Sequence, residues 1–287
     1  MQVLNDLRKK FITQLSSLYD ASEAESVFFL VMEDVFHYSR KDFLLQKTFP
    51  FGATENDKIE DILRRLLTGE PIQYIIGSTR FMGIHLLVNK RVLIPRPETE
   101  ELVDCVVQDY KADAIEELRL MDVGTGSGCI PIALKKHIPQ AYVFAMDVSN
   151  EALEVAKHNA LINNVSINFL LADILEWDII FSDDIQFDII VSNPPYIPPG
   201  EKDLMHPNVL QFEPHLALFV EEKAPLLFYE TIAAFALKHL RPQGKLYFEI
   251  NRHYGEEVKN LLQKKGFREV YLLQDLHGAD RMIKALL

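Results

Sequence analysis

The sequence is poor in residues that mark several common protein classes. Its 287 residues include only two cysteines, Cys105 and Cys129, and neither belongs to a Cys-x-x-Cys pair or lies in a histidine-rich stretch. This scarcity argues against a disulfide framework and against a zinc site. We expect both cysteines to be small buried hydrophobic side chains and the protein to hold no metal.

The chain also lacks long apolar runs and an excess of basic residues. It has no uncharged apolar run of roughly 18 residues, which argues against a membrane-spanning helix. Its first residues lack the basic-then-apolar order of a signal peptide, so we expect a cytoplasmic protein with no membrane partner. The formal net charge of -12 disfavours nucleic acid as the direct substrate and is compatible with a basic protein partner.

The first part of the chain has the periodicity of amphipathic helices. We expect Ser22 to open a capping box, Ser39 to cap a short helix, and Thr54 to cap a helix that stops at Gly69. Residues 1–75 are therefore interpreted as a helical domain for substrate recognition, with a stabilising appendage as the open alternative. Apolar residues at helical spacing are Val3, Leu4, Leu7, Phe11, Leu15 and Leu18.

A linker with a β-hairpin is predicted over residues 76–92. The hairpin covers residues 80–88, with Gly83 near its turn. The prolines in residues 94–100 end the extended structure, and the acidic residues among them suit a helix N-terminus. That helix should run to about Tyr110.

From Arg119 onward, strands and helices alternate, which predicts an α/β domain over residues 93–287 with a mostly parallel, doubly wound sheet. Two final strands, 268–273 and 281–286, are separated by a short turn, so the last strand should run antiparallel. Other strands are predicted at 120–123, 141–146, 166–171, 187–191 and 245–250, and helices at 127–137, 151–163, 225–240 and 255–265.

A glycine-rich segment, Gly124-Thr-Gly-Ser-Gly128, follows the first of these strands and opens a helix, which is the context of a cofactor loop. Glycine lets the backbone approach a ligand closely and adopt positive φ. In the dinucleotide pattern G-x-G-x-x-G the third glycine would fall on Cys129. The spacing therefore disfavours a pyrophosphate ligand.

Three acidic residues stand at successive strand ends: Asp122, Asp147 and Asp173. Asp147 is placed to accept hydrogen bonds from both hydroxyls of a ribose, and Asp173 to accept from an adenine amino group. Carboxylates in these places suit a nucleoside that carries a cation better than one that carries phosphates. S-adenosylmethionine is such a ligand.

The tetrapeptide Asn193-Pro-Pro-Tyr196 ends an apolar, β-branched strand. Its prolines cannot continue a sheet, so the chain must leave at the carboxyl edge, where ligands of open α/β sheets bind. The carbonyl oxygens of Asn193 and Pro194 can accept both hydrogens of a planar NH2 group while Tyr196 packs on its face. This would orient a weakly nucleophilic nitrogen without a strong base. The open alternative is a proline-rich strand exit with a capping asparagine.

The connection over residues 197–224 is long and carries four prolines. Its apolar residues Phe212, Leu216 and Phe219 favour an ordered segment over a disordered one. We interpret it as a lid or a substrate-contacting loop.

Several stretches closely resemble the peptide chain release factor glutamine N5-methyltransferases of the PrmC/HemK type. Asn-Pro-Pro-Tyr is shared with adenine and guanine amino-methyltransferases, whereas Leu93-Ile-Pro-Arg-Pro-Glu-Thr-Glu100 and the helical N-terminal part are more specific. Asn251, Tyr254 and the turn 221–225 depart from the family pattern. The other matching stretches are Asp122–Gly128, Asp147–Ser149, Phe212–Pro214 and Pro71–Gly77.

The resemblance implies a Rossmann-like class I methyltransferase sheet with an N-terminal helical bundle and a linking β-hairpin. It also implies methyl transfer from S-adenosyl-L-methionine, leaving S-adenosyl-L-homocysteine, to the glutamine of the Gly-Gly-Gln motif in class 1 release factors. The alternatives are an amino-methyltransferase acting on nucleic acid (adenine N6 or guanine N2) or on a ribosomal protein glutamine, a dinucleotide oxidoreductase, and a non-catalytic cofactor-binding module.

By position, the resemblance assigns three overlapping sets of site residues. The cofactor-binding set is Gly124, Thr125, Gly126, Ser127, Gly128, Asp147, Asp173, Ile174 and Asn193. The catalytic set is Asn193, Pro194 and Tyr196. The set that would hold the substrate amide is Asn193, Pro194, Pro195 and Tyr196.

Overall fold

The structure is a computed structural model that describes residues 2–45, 49, 51–110 and 117–287. The chain forms two compact units. The first comprises Met1–Ser78 together with His206–Phe212, and the second comprises Thr79–Met205 and Glu213–Leu287. No helix within these described ranges is both long and apolar enough to cross a membrane.

The first unit is helical, as predicted. Its helices pack around a shared apolar core in which Phe11, Leu15, Phe28 and Leu63 are almost completely buried. The helices are α1 (Gln2–Leu15), α2 (Ala21–Asp34), α3 (Arg40–Leu44), α4 (Ala53–Leu67) and α5 (Ile72–Ile76).

The predicted helix caps are correct at one helix and wrong at two. Ser39 caps α3 in a capping box. Asp20, and not Ser22, caps α2, because its carboxylate accepts a backbone N–H of the first turn at 2.8 Å. The N-cap of helix α4 is Gly52, so Thr54 lies inside its first turn. Neighbouring polar residues compete to cap, and the apolar pattern alone does not decide between them.

The hairpin prediction is confirmed, whereas part of the stretch before it is helical. Strands β1 (Ser78–Phe81) and β2 (Ile84–Leu87) pair, and both residues of their turn, Met82 and Gly83, have positive φ. This is the geometry of a two-residue hairpin turn. Helix α6 (Pro97–Tyr110) begins at a proline, whose missing N–H suits the first helical position.

A seven-stranded sheet forms the centre of the second unit, with strand order β5-β4-β3-β6-β7-β9-β8. Strand β9 pairs antiparallel with both neighbours, and the other pairs are parallel, which confirms the predicted sheet. The strands are β3 (Arg119–Val123), β4 (Tyr142–Asp147), β5 (Asn168–Leu171), β6 (Phe187–Ser192), β7 (Leu240–Glu249), β8 (Glu269–Gln274) and β9 (Asp280–Leu286).

Further helices occur between these strands along the chain. They are α7 (Cys129–His137), α8 (Asn150–Ile162), α9 (Trp177–Ile180), α10 (Pro207–Phe212, in the first unit), α11 (Leu227–His239) and α12 (Gly255–Lys265). The segment after β6 is ordered, as expected. It contains α10 and the short 3-10 helices Pro199–Leu204 and His215–Ala217, and Ile197 forms a β-bridge with Phe219.

Strand β6 lies at the centre of the sheet and is buried on both faces. Ile189, Ile190 and Val191 have no exposed surface. From β3 the chain continues to β4 on one side, while β6 lies on the other side of β3, so the strand order reverses between β3 and β6. A crevice opens at such a switch point, beyond the carboxyl ends of the strands. The fold therefore brings the glycine-rich segment and Asn193-Pro-Pro-Tyr196 to the same edge.

Candidate active site

A cavity of about 360 Å³ opens at this edge of the sheet. The carboxyl ends of β3, β4 and β6 form its floor through Val123, Asp147 and Ser192. Eight of the sequence-predicted site residues line this sheet-edge cavity. They are Gly124, Gly126, Asp147, Asp173, Ile174, Asn193, Pro194 and Pro195.

The glycine-rich segment leaves β3 with its first three backbone N–H groups already paired. The N–H groups of Gly124 and Thr125 both donate to the carbonyl oxygen of Met146 at 2.9 Å. The N–H of Gly126 donates to the Asp147 carboxylate at 2.8 Å. A phosphate bound in a glycine-rich loop needs such donors free, and these three successive groups are occupied by the protein. The geometry thus disfavours a pyrophosphate ligand, as the glycine spacing predicts.

Two glycines of this loop have a positive φ, and a side chain at each would meet different surroundings. Gly126 has a φ of +54°, and an added Cβ there would have no neighbour within 4 Å among the described residues. Gly128 has a φ of +80°, and a Cβ there would lie 3.1 Å from the Cβ of Ala156 in α8. Gly126 therefore has open space beside it and lines the cavity, whereas Gly128 allows the loop to pack on a helix.

Asp147 ends β4 and is held by the backbone through both carboxylate oxygens. One oxygen accepts from Gly126 and the other from the N–H of Ser149 at 2.9 Å. Burial raises the pKa of Asp147, and these backbone hydrogen bonds oppose the rise. Each oxygen keeps a lone pair for a further donor, so Asp147 can accept two hydroxyl groups of a ligand in the cavity.

Beyond β5, Asp173 and Ile174 form a second side of the cavity. Asp173 accepts the N–H of Leu175 at 2.9 Å and so starts a 3-10 turn, while Ile174 is buried. Much of the remaining wall is apolar and suits a flat ring. These wall residues are Ala172, Leu216, Ala217, Phe228 and Ile232.

Asp122 does not belong to the cavity lining, unlike the other two strand-end aspartates. It is completely buried, and neither of its oxygens has a hydrogen-bond partner among the described residues. Burial raises the pKa of Asp122 to about 7, and the nearby hydroxyl of Thr125 opposes the rise. Alternating residues of a strand face opposite sides, so Val123 lines the cavity and Asp122 lies within the core.

Asn193 is the polar side chain at the end of β6, and its amide has a fixed partner. Its nitrogen donates to the hydroxyl oxygen of Thr99 at 3.2 Å, and that hydroxyl donates to the carboxylate of Glu249 at 2.6 Å. The other carboxylate oxygen of Glu249 accepts from the hydroxyl of Tyr196 at 3.1 Å. A single buried carboxylate therefore anchors both ends of the Asn-Pro-Pro-Tyr segment.

Asn251, which departs from the family pattern, supports the same segment from another direction. Its side-chain nitrogen donates to the backbone carbonyl of Tyr196 at 3.3 Å and to the carboxylate of Glu201 at 3.2 Å. Tyr254, which also departs from that pattern, packs against the apolar cluster on one face of the sheet. Asn251 is thus a structural contact of the tetrapeptide.

An ion pair joins two of the stretches that carry the resemblance. The guanidinium of Arg96 lies 2.5 Å from the carboxylate of Glu213, and Glu213 also accepts the N–H of Ile94 at 3.2 Å. The Glu213 side chain is only 1% exposed. This pairing holds the chain immediately before Pro214 and His215, which line the cavity.

The remaining predicted residues lie around the cavity without lining it: Thr125, Ser127, Gly128 and Tyr196. Sequence reasoning missed two other groups. Residues 90–93 line the cavity but fall in the predicted linker and at the start of the next domain, where no motif marked Lys90, Arg91 or Val92. The second group is Thr99 and Glu249. Thr99 lies inside the Pro-Glu-Thr-Glu stretch that carried the resemblance, but no sequence pattern links it to Glu249.

Comparison with known proteins places these features in a family. Residues 6–77 match the family model of the PrmC N-terminal domain, and residues 99–211 match that of the methyltransferase small domain. The release factor glutamine methyltransferase of Flavobacterium psychrophilum is 44% identical over 98% of both chains. That of Bacteroides thetaiotaomicron is 42% identical over 94% of this chain and 95% of that protein. The chain belongs to the release factor glutamine methyltransferase family.

The fold agrees with this assignment. A solved methyltransferase from Pyrococcus furiosus superposes with a TM-score of 0.51 over 79% of this chain and 98% of its own, at 17% identity. The predicted Rossmann-like methyltransferase fold is therefore confirmed.

S-adenosyl-L-methionine is the cofactor of this methyltransferase, as the sequence predicts. The residues of the cavity fit it. Asp147 and Asp173 supply negative charge and hydrogen-bond acceptors to the cavity, which suits a cationic nucleoside, and the apolar wall suits a flat ring. The paired N–H groups of the glycine loop leave no anion site at Gly124, Thr125 or Gly126, in keeping with a ligand that carries no phosphate.

Proposed function

We propose that this methyltransferase transfers the methyl group of S-adenosyl-L-methionine to the side-chain nitrogen, N5, of the glutamine in the Gly-Gly-Gln motif of class 1 peptide chain release factors. The product is S-adenosyl-L-homocysteine. The names of the two relatives support release factors as the protein substrate. The reaction belongs in the cytoplasm, where release factors act.

The fixed amide of Asn193 is the observation that carries this proposal. Asn193 lines the cavity, and one N–H of its amide donates to Thr99, which fixes the plane of the amide. We assign its carbonyl oxygen to the substrate, since a carbonyl oxygen accepts from the NH2 group of a carboxamide. The backbone carbonyl of Pro194, held in a stiff proline frame on the same cavity, is the second acceptor.

These two acceptors solve the main chemical difficulty of the reaction. An amide nitrogen is a poor nucleophile because its lone pair is delocalised into the neighbouring carbonyl group. Hydrogen bonds from both of its hydrogens to Asn193 and Pro194 orient the nitrogen toward the cofactor side of the cavity, while Pro195 and Tyr196 support the amide plane. When bound, the cofactor supplies an electrophilic methyl group on a positively charged sulfur. The nitrogen gains that methyl group as the carbon–sulfur bond breaks, it releases one proton to solvent, and S-adenosyl-L-homocysteine is left.

The cofactor is assigned to the glycine-rich side of the cavity. Gly124, Gly126 and the carboxylate of Asp147 hold the ribose and the amino acid part, and Asp173 with Ile174 holds the adenine. Thr125, Ser127 and Gly128 act through the backbone shape of the loop. Burial and hydrogen bonding of Asp147 keep this carboxylate in one orientation, which supports its role as the ribose acceptor.

The helical part of the chain is assigned to recognition of the release factor. We treat residues 1–75 as this recognition domain, residues 76–92 as a linker with its β-hairpin, and residues 93–287 as the methyltransferase domain. The match of residues 6–77 to a separate N-terminal family model supports a distinct role for this part.

The test is methyl transfer to a purified class 1 release factor. The protein is incubated with S-adenosyl-L-methionine labelled in its methyl group and with a release factor whose Gly-Gly-Gln glutamine is intact or replaced by alanine. We expect label on the intact factor alone, located on that glutamine by peptide mass spectrometry. Equal labelling of both factors, or no labelling of either, would contradict the proposal.

A further inference from the structure

We infer that Thr99 and Glu249 are positioning residues that determine which way the side-chain amide of Asn193 faces. The inference rests on the proposed function, because the orientation matters only if Asn193 holds the substrate amide. Neither residue lines the cavity, so neither is assigned a contact with substrate or cofactor. Both act through Asn193.

The orientation follows from the number of protons available in the chain of hydrogen bonds. An ionised carboxylate only accepts, so Glu249 requires the single hydroxyl proton of Thr99, over 2.6 Å. The Thr99 oxygen can then only accept, and the group it accepts from is the nitrogen of Asn193. A flipped amide would place the Asn193 oxygen against the Thr99 oxygen with no proton between them. The carboxylate thus fixes the amide through the hydroxyl group.

Burial makes this arrangement persistent. Thr99 is 2% exposed and Glu249 is 1% exposed, so water does not compete for their hydrogen bonds. Burial also raises the pKa of Glu249, and the hydrogen bonds from Thr99 and Tyr196 oppose that rise. A buried carboxylate with fewer than these two partners would be costly, so both donors are needed to keep Glu249 in place.

The same carboxylate links the two sides of the substrate amide site. One oxygen of Glu249 holds Thr99, and through it Asn193, while the other accepts the hydroxyl proton of Tyr196 at 3.1 Å. The acceptor side and the aromatic side of the tetrapeptide are therefore fixed relative to one another by one group. Misplacement of reacting groups by about 1 Å can lower a rate on the order of a hundredfold, so loss of this anchoring should lower the rate of methyl transfer by up to about that factor.

A matched pair of substitutions at Thr99 tests the inference. Thr99→Val keeps the shape of the side chain and removes the hydroxyl, whereas Thr99→Ser keeps the hydroxyl and removes a buried methyl group. Turnover with the release factor, the dissociation constant of S-adenosyl-L-methionine and the melting temperature are measured for both variants and for the unaltered protein. Glu249→Gln is a second variant, because its amide cannot accept from both Thr99 and Tyr196 through the same two atoms.

We expect Thr99→Val to lower kcat by about tenfold to a hundredfold with cofactor affinity unchanged, and Thr99→Ser to stay within about threefold of the unaltered protein. Glu249→Gln should lower kcat in the same range. If Thr99 had only a structural role, Thr99→Ser would lower kcat at least as much as Thr99→Val, because serine is the smaller side chain. That order, or an unchanged kcat in Thr99→Val, would overturn the inference.

Measurements on the unaltered protein distinguish a failure of this inference from a failure of the proposed function. If it methylates the release factor glutamine and Thr99→Val does so equally fast, only the positioning role is wrong. If the unaltered protein transfers no methyl group to that glutamine, the proposed function fails and the positioning role fails with it.

Discussion

The side-chain nitrogen of Asn193 lies 3.2 Å from the hydroxyl oxygen of Thr99, a residue that precedes it by 94 positions in the chain. Asn193 follows β6 and Thr99 lies in the first turn of α6, so the bond joins the centre of the sheet to a helix that covers it. A residue outside the cavity therefore holds the side chain of Asn193. The hydrogen bond to Thr99 also restrains the first residue of Asn-Pro-Pro-Tyr, which the tetrapeptide could not do by itself.

Replacement of Gly126 by alanine should weaken cofactor binding more than it weakens the fold. A side chain at its φ of +54° is strained by about 1 kcal/mol, and Gly126 lines the cavity, so the added methyl group should crowd the ligand. We expect a loss of about 1 kcal/mol in the free energy of unfolding together with a clearly raised dissociation constant for S-adenosyl-L-methionine. Denaturant unfolding and calorimetric titration measure the two effects.

Gly278 provides the matched control for this prediction. It also has a positive φ, +80°, and none of the residues that the structure describes lies within 4 Å of an added Cβ, but it belongs to the β8–β9 turn. Gly278→Ala should lose similar stability and bind the cofactor normally. Equal cofactor affinity in the two alanine variants would show that Gly126 does not face the ligand.

Asp147→Asn should reduce cofactor affinity by about tenfold or more, since a hydrogen bond to a charged group contributes roughly 1.5 to 3 kcal/mol. The amide has one acceptor oxygen where the carboxylate has two, and the backbone N–H groups of Gly126 and Ser149 need both. Titration with S-adenosyl-L-methionine measures the change. Asp178→Asn, at an exposed position in α9, is the control and should bind as the unaltered protein does. Unchanged affinity in Asp147→Asn would remove Asp147 from the site.

The buried carboxyl group of Asp122 should make the stability of the protein depend on pH. Its folded pKa of about 7 lies above its value of 3.8 in the unfolded chain, so between these values the folded state binds more protons. Stability therefore falls as pH rises through about 7. This group alone should make the cofactor-free protein about 1 kcal/mol more stable at about pH 6 than at about pH 8.

Asp122→Asn isolates this effect, because asparagine cannot ionise and the other titrating groups are unchanged. Urea unfolding of both proteins at the two pH values gives the comparison. We expect the advantage at the lower pH to be about 1 kcal/mol smaller in the variant. Identical pH dependence in the two proteins would mean that Asp122 does not titrate in this range.

The sequence was sufficient to predict features that depend on local pattern. The apolar run before Asn193 and the prolines after it placed a strand end at the carboxyl edge of the sheet, and the glycine spacing disfavoured a pyrophosphate ligand, in agreement with the paired N–H groups of the loop. These inferences succeed because strand burial and proline geometry act within a few residues of the chain. The antiparallel direction of β9 follows in the same way from the short turn before it.

Local sequence pattern could not predict which face of a strand a side chain occupies, or which residues far apart in the chain are in contact. Asp122 is adjacent to Val123, and the alternation of the strand sends the two side chains to opposite sides. The contact of Thr99 with Glu249 joins residues 150 positions apart, and neither belongs to a pattern that points to the other. The cap of α2 at Asp20 was also missed, since Ser22 offers the same chemistry two residues later.

Asn193→Ala tests the central claim, that the oxygen of this amide holds the substrate carboxamide. The measurement is the rate of a single turnover with the release factor at saturating S-adenosyl-L-methionine, made beside the control Asn168→Ala, which removes an exposed amide at the start of β5. We predict a rate at least about a hundredfold lower for Asn193→Ala, a much smaller change in cofactor affinity, and a normal rate for the control. A rate for Asn193→Ala within about threefold of that of the unaltered protein would contradict the account.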